Sequence, residues 1–174
     1  MTILGFDCST SCCGWAFSTD GIVQDAGFID ISKKETTKEK AFLVIETLKN
    51  HPLTPQINHI NLETALLGFN HGKSKQQIII KLIRLNAIFE YIISEYWKKP
   101  VNLLNVSTMR KKVLGKARIK LPNSKKNMPS KDFVKQELPK VVPNLSKFDK
   151  MNTKNRWNKK NSDTYDAIIA SLFG

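Results

Sequence analysis

Four acidic side chains stand where acids are out of place. Asp7 closes the apolar run Ile3-Leu4-Gly5-Phe6-Asp7, and Glu63 closes Ile60-Asn61-Leu62-Glu63 in the same way. By strand alternation Ile3, Gly5 and Asp7 share one face, and a carboxylate there needs a partner to stay ionised. Asp163 and Asp166, three apart at the start of the last helical pattern, lie on one helix face. A helix N-terminus favours negative charge there. Taken singly, each acid has an ordinary explanation as a turn cap or a dipole complement. Taken together, four converging carboxylates repel one another unless a cation sits among them. Such a set suits one or two hard, oxygen-seeking ions, Mg²⁺ or Mn²⁺. A pair of such ions about 3.5–4 Å apart activates water and stabilises the leaving oxygen in phosphodiester hydrolysis.

Those acids must be positioned by the elements around them. The apolar spacing predicts strands over 3–8, 14–18 and 22–31, with Asp20-Gly21 as a hairpin turn and Gly27 as a bulge. A helix follows from Glu35 to Asn50, stopped by Pro52 and Pro55. A fourth strand runs from Ile57 to Glu63, with Ile57, Ile60 and Leu62 as its apolar positions. A Gly-bearing loop and a long helix from Gln76 to Trp97 come next. Most of that helix's circumference is apolar, more than one buried face requires. It is expected to pack between two layers of its own fold, or against the sheet and a partner subunit. A fifth strand spans Val101 to Val106. Ser107 is expected to cap a short helix ended by Gly115, Ser130 a helix to Leu138, and Asn161 or Ser162 the final helix from Asp163 to Leu172. The fold class implied is α/β: a five-stranded mixed sheet, three strands antiparallel and then parallel ones, flanked by helices. With the helix crossover after the third strand, the first and fourth strands can be neighbours, which would bring Asp7 and Glu63 to one end of the sheet.

At 174 residues, 41% of them apolar, the chain is expected to form a single domain with a real core. It has no run of eighteen apolar residues, which argues against a membrane span. The N-terminus lacks a basic leader, so an intracellular protein is expected. Cys8, Cys12 and Cys13 form neither a disulfide framework nor a zinc ligand set and read as small apolar residues. The net charge of +13 is unevenly spread. Between Ser107 and Lys160 there are 17 Lys and Arg against 3 Asp and Glu, a balance of +14, while the remainder holds 11 against 12. A segregated basic half is the footprint of a polyanion. A membrane surface fits less well, because the segment has no long amphipathic stripe.

With these motifs in place, the sequence resembles the RuvC-type Holliday junction resolvases of the RNase H-like superfamily over nearly its whole length. The resemblance is carried by Ile3-Leu4-Gly5-Phe6-Asp7 with Gly14-Trp15-Ala16-Phe17, and by Ile60-Asn61-Leu62-Glu63 before a Gly-bearing loop and long helix. It continues in Val113-Leu114-Gly115 with Pro129-Ser130-Lys131-Asp132-Phe133-Val134, and in Ser162-Asp163-Thr164-Tyr165-Asp166-Ala167. It implies that Asp7, Glu63, Asp163 and Asp166 bind two divalent ions, Mg²⁺ or Mn²⁺. It also implies a homodimer, joined through the long helix, that nicks opposing strands of a four-way junction in DNA recombination and repair. Lys131 matches a lysine that assists near the scissile phosphate. For a second such position the chain offers Arg110, Lys111 and Lys112. Relatives stack an aromatic near the junction centre shortly after the glutamate; here Leu66 holds that offset and Phe69 follows three residues on. Lys116 and Arg118 in the basic loop are further candidate DNA contacts. So are Arg156, Lys159 and Lys160, with Trp157 as a stacking or wedging side chain. The alternative for this last segment is a solvated loop anchored by its Trp. Cys8-Ser9-Thr10-Ser11 stands where many bacterial members have Pro-Gly, and the basic loop before Asp163 is longer than in compact members, as in a divergent, viral or phage-encoded branch. An actin-like sugar kinase needs two lobes and a second phosphate motif, which the chain lacks. A non-catalytic relative would lack one of the four acids. An RNase H-like nuclease acting on other branched DNA or on RNA–DNA hybrids would use the same four.

Overall fold

The computed structural model describes residues 1–64, 73–121, 126–151 and 158–174. Strand β1 (Thr2–Cys8) pairs antiparallel with β2 (Cys12–Thr19), which pairs antiparallel with β3 (Ile22–Asp30). Helix α1 (Thr37–Leu48) crosses over to β4 (Ile57–Glu63), which returns parallel to β1 on its free edge. Helix α2 (Lys73–Trp97) leads to β5 (Val101–Leu104), parallel to β4. The sheet order is therefore β3-β2-β1-β4-β5, in which the first and fourth strands are neighbours, as the sequence allowed. Helices α3 (Val106–Leu114), α4 (Ser130–Glu137) and α5 (Asn161–Ser171) complete the chain.

Strand alternation divides the core in two. Leu4, Phe6, Cys8, Cys13 and Phe17, with Ile60 and Leu62, face α1 and α2 and pack on Ile45, Leu48, Phe89 and Ile93. The opposite face of β1 and β2 carries Gly5, Gly14 and Ala16 and receives α5, whose Ala167, Ile168, Ile169 and Ala170 are fully buried. Each buried isoleucine there contributes on the order of 2 kcal/mol. The glycines set the distance between α5 and the sheet. A β-carbon at Gly5 would fall on the Ala167 carbonyl oxygen and the Ser171 amide nitrogen; one at Gly14 would fall on the Asp163 carbonyl. Asn61, buried on the same face, donates from its side-chain amide to the carbonyls of Ala170 and Phe173 at 2.9 and 2.8 Å and so satisfies the end of α5.

Several local expectations need correction. The bulge in β3 lies opposite Phe17 and Ser18, at Gln24, while Gly27 pairs regularly with Trp15. Asn105, not Ser107, caps α3; its carboxamide reaches the amides of both Ser107 and Thr108. Ser130 is the first residue of α4 after Pro129, and its hydroxyl accepts from Arg110 instead of capping. Asn161 and Ser162 lie within α5, which has no side-chain cap. The stretch after α4 is less loop-like than its composition suggests. Short 3₁₀ turns at Leu138–Lys140 and Leu145–Phe148 bury Leu138, Val142, Leu145 and Phe148 in the α5-side core. No helix among the described residues is long and apolar enough to cross a membrane.

Candidate metal centre

The parallel pairing of β1 with β4 sets Phe6 beside Leu62, so the next residues, Asp7 and Glu63, emerge side by side at one end of the sheet. Helix α5 lies on that face, held close by Gly5 and Gly14, and brings Asp166 to the same point. One carboxylate oxygen from each of Asp7, Glu63 and Asp166 lies within 4.8 Å of the other two. Asp163, one turn earlier on α5, lies beside this trio without joining it. Its carboxylate accepts from Ser162 at 3.1 Å and lies 4.0 Å from the Lys131 ammonium.

The three carboxyls of the trio oppose one another electrostatically. Burial, and then the charges of Glu63, Asp166 and Asp163, push the Asp7 carboxyl well above its ordinary range. Burial and the Asp166 charge push Glu63 up to about 8, against the pull of Arg110. Burial raises Asp166 too, with Arg110 opposing. Glu63 Oε2 is buried without a hydrogen-bond partner among the described residues. Oxygen-only donors, a surplus of negative charge and an orphaned carboxylate oxygen all fit a hard divalent ion. The cysteines do not contribute such ligands. Burial pushes the thiols of Cys8, Cys12 and Cys13 up, which keeps them protonated.

Among the described residues, two cationic side chains meet the acids. Arg110 is buried, and its guanidinium donates to Asp166 Oδ1 at 2.7 Å and to the Ser130 hydroxyl. Of the three candidates on α3, Arg110 is the one that reaches the centre. Lys111 is exposed, and Lys112 is tied to the carbonyl of Gly174 and lies over the Phe173 ring at 4.4 Å. Lys131, its side chain 70% exposed, donates to Ser162 at 2.8 Å and stands at the rim beside Asp163.

Among the remaining candidates, Lys116 pairs with the buried Glu137 at 3.1 Å. Arg118 is exposed and lines a cavity of about 210 Å³ with Arg110 and Ser130. Lys159 is exposed, and Lys160 pairs with Asp30, whose carboxyl it holds below the usual range. Phe69, Arg156 and Trp157, like Leu66, lie outside the described residues. Sequence reasoning passed over Asn86. It interrupts the buried α2 stripe of Leu82, Leu85, Phe89 and Ile93, and that position was the available signal. Asn86 lines a cavity of about 220 Å³ with Asp7, Cys8, Ser9, Glu63, Thr64 and Leu82. A wider cavity of about 530 Å³ opens near Met1, His59 and Phe173, and no acidic side chain lines it.

No family model matches the sequence, and no curated protein matches it. Solved structures do match. The chain superposes on Thermus thermophilus RuvC in complex with Holliday junction substrate with a TM-score of 0.59 at 13% identity, over 99% of this chain and 91% of that one. A second structure of Thermus thermophilus RuvC gives 0.55 at 11% identity, over 99% and 92%. The yeast mitochondrial Holliday junction resolvase Ydc2 gives 0.57 at 14% identity, over 98% and 75%. The fold is therefore RuvC-type.

Proposed function

We propose that this chain is a divalent-metal-dependent endonuclease that resolves four-way DNA junctions by paired nicks, working as a homodimer. The observation that carries the proposal is the convergence of Asp7, Glu63 and Asp166 at the end of a RuvC-type sheet, with an orphaned carboxylate oxygen among them. Asp7, Glu63 and Asp166 would hold the ion or ions, Mg²⁺ or Mn²⁺, with Asp163 the fourth acid and a ligand to a second ion. The bound ions supply Lewis-acid stabilisation of the phosphodiester oxygens and an activated water. Arg110 holds the Asp166 carboxylate in place by a charge-assisted bond, and Ser130 fixes the other arm of its guanidinium. Lys131, exposed at the rim beside Asp163, would meet the charge that develops on a phosphate at the acids.

The basic residues 107–160 supply non-specific attraction to DNA phosphates. The homodimer rests on α2. Ile80, Ile83, Ile88 and Tyr91 recur at helical spacing and are exposed in the isolated chain, Tyr91 by 68%. An exposed apolar helix face of this kind is removed from water by a second copy of itself in a two-fold interface.

The selectivity is tested by offering the protein a four-way junction, a flap, an RNA–DNA hybrid and linear duplex, each with Mg²⁺ or Mn²⁺. Symmetric nicks on opposing junction strands are expected. Preferential cutting of the hybrid or the flap would transfer the same centre to another branched or hybrid substrate. Equal cutting of linear duplex would remove structure selectivity.

A further inference from the structure

Among its described side chains helix α2 faces the sheet with apolar groups, and Asn86 is the polar exception. It is 7% exposed and lies at the Asp7–Glu63 side of the carboxylate trio. Its amide nitrogen donates to the backbone carbonyl of Glu63 at 3.1 Å. That bond fixes the orientation of the group, because the reverse orientation would set oxygen against oxygen. The side-chain oxygen Oδ1 is then buried with no partner among the described residues. Leaving such an acceptor unpaired costs about 1–3 kcal/mol.

The side chains around the shared cavity do not satisfy it. The Ser9 hydroxyl donates to the Cys12 carbonyl at 3.0 Å, and the Thr64 hydroxyl donates to the Leu104 carbonyl at 3.2 Å. The Cys8 thiol faces Cys13, 2.6 Å away. Asp7 and Glu63, when ionised, only accept. The donor that fits is a water, and the cavity of about 220 Å³ has room for several. Glu63, which lines the same cavity, has its Oε2 buried without a partner among the described residues as well. A hydrated divalent ion presents water protons outward, and Mg²⁺ in particular keeps several of its waters.

We propose that Asn86 is a positioning residue of the metal centre, whose Oδ1 accepts a hydrogen bond from an ion-bound water on the Glu63 side. This rests on the metal centre proposed above. An asparagine at this point supplies an acceptor without adding a further negative charge to carboxylates that already repel one another. Through its other end it fixes the backbone of Glu63, so one side chain orients both the ligand and the water.

The test is direct Mn²⁺ affinity, measured by electron paramagnetic resonance titration without DNA, for wild type, N86L, N86D and D7N. Each variant's fold is checked by its melting curve in EDTA. N86L is expected to weaken Mn²⁺ binding by roughly 10–100-fold. N86D, which keeps an acceptor toward the ion-bound water but loses the donor to the Glu63 carbonyl, is expected to bind Mn²⁺ within tenfold of wild type. Unchanged affinity in N86L overturns the proposal. So does an N86D affinity at least tenfold below wild type, which would mean that the side chain acts only through the Glu63 carbonyl; this arm decides the matter even if N86L does not fold. D7N separates this failure from failure of the centre itself. If D7N binds Mn²⁺ as wild type does, the carboxylate site is wrong; if D7N loses the ion while N86L keeps it, only the role of Asn86 is wrong.

Discussion

At the scale of single residues, the candidate centre is an arrangement of buried carboxyls that oppose one another. Arg110 and Asp166 form a largely buried ion pair, and removing one partner leaves the other's charge without compensation. R110A is therefore expected to lower stability by about 3 kcal/mol, measured by urea unfolding in EDTA. R110K, which keeps the charge but not the fork between Asp166 and Ser130, should fall between R110A and wild type. The raised carboxyls predict the pH dependence. Glu63 moves from an ordinary 4.5 to about 8, and Asp7 and Asp166 move in the same direction. Between these limits the folded state holds protons that the unfolded state has released, so stability falls as pH rises. The metal-free protein should lose stability from about pH 4.5 to about pH 8, a slope that E63Q flattens and saturating Mn²⁺ reverses at the alkaline end. An identical slope in wild type and E63Q would contradict the shift. The four acids were legible in the sequence because each breaks a local pattern, a strand end or a helix turn. The partner of Arg110 was not legible. Asp166 is 56 residues away, and three adjacent basic residues on one short helix are equivalent until the helix is docked.

At the scale of elements, the seating of α5 on β1 and β2 makes the site. Two glycines allow it, and the obstacle a β-carbon would meet is backbone, which cannot swing aside. G14A is expected to cost about 3 kcal/mol, at the upper end of ordinary overpacking, and to abolish Mn²⁺ binding by lifting Asp163 and Asp166 off the sheet. G21A is the matched control. Gly21 has a φ of 76° and open space around it, so alanine there costs about 1–2 kcal/mol in backbone strain and leaves Mn²⁺ binding unchanged. Comparison of melting curves with Mn²⁺ titrations separates the two. The strands and helices themselves were readable, since periods of 2 and 3.6 are local properties. The caps were misread because Asn105, Ser107, Ser130, Asn161 and Ser162 are all competent caps by type, and the choice among them depends on where tertiary contacts end each helix. Gly5 and Gly14 read as ordinary strand glycines, because a close approach across layers leaves no mark on local periodicity.

At the scale of the whole molecule, charge and apolar surface are separated. The basic residues fall in the second half of the chain, and the exposed isoleucines and Tyr91 lie along α2. I83E is expected to convert the proposed homodimer to monomer in sedimentation equilibrium without unfolding it, since Ile83 is exposed in the single chain. An unchanged dimer would place the interface elsewhere. The surplus of apolar surface on α2 was visible in its sequence, whereas the identity of the covering partner is a matter of assembly and not of local pattern. The central claim, that Asp7 and its neighbours hold the ions that cut a four-way junction, is tested most directly by comparing wild type and D7N on one labelled junction with Mn²⁺, scoring cleavage and binding together. Paired nicks by wild type, with D7N binding the junction but leaving it intact, are the predicted result; cleavage by D7N at the wild-type rate would contradict it.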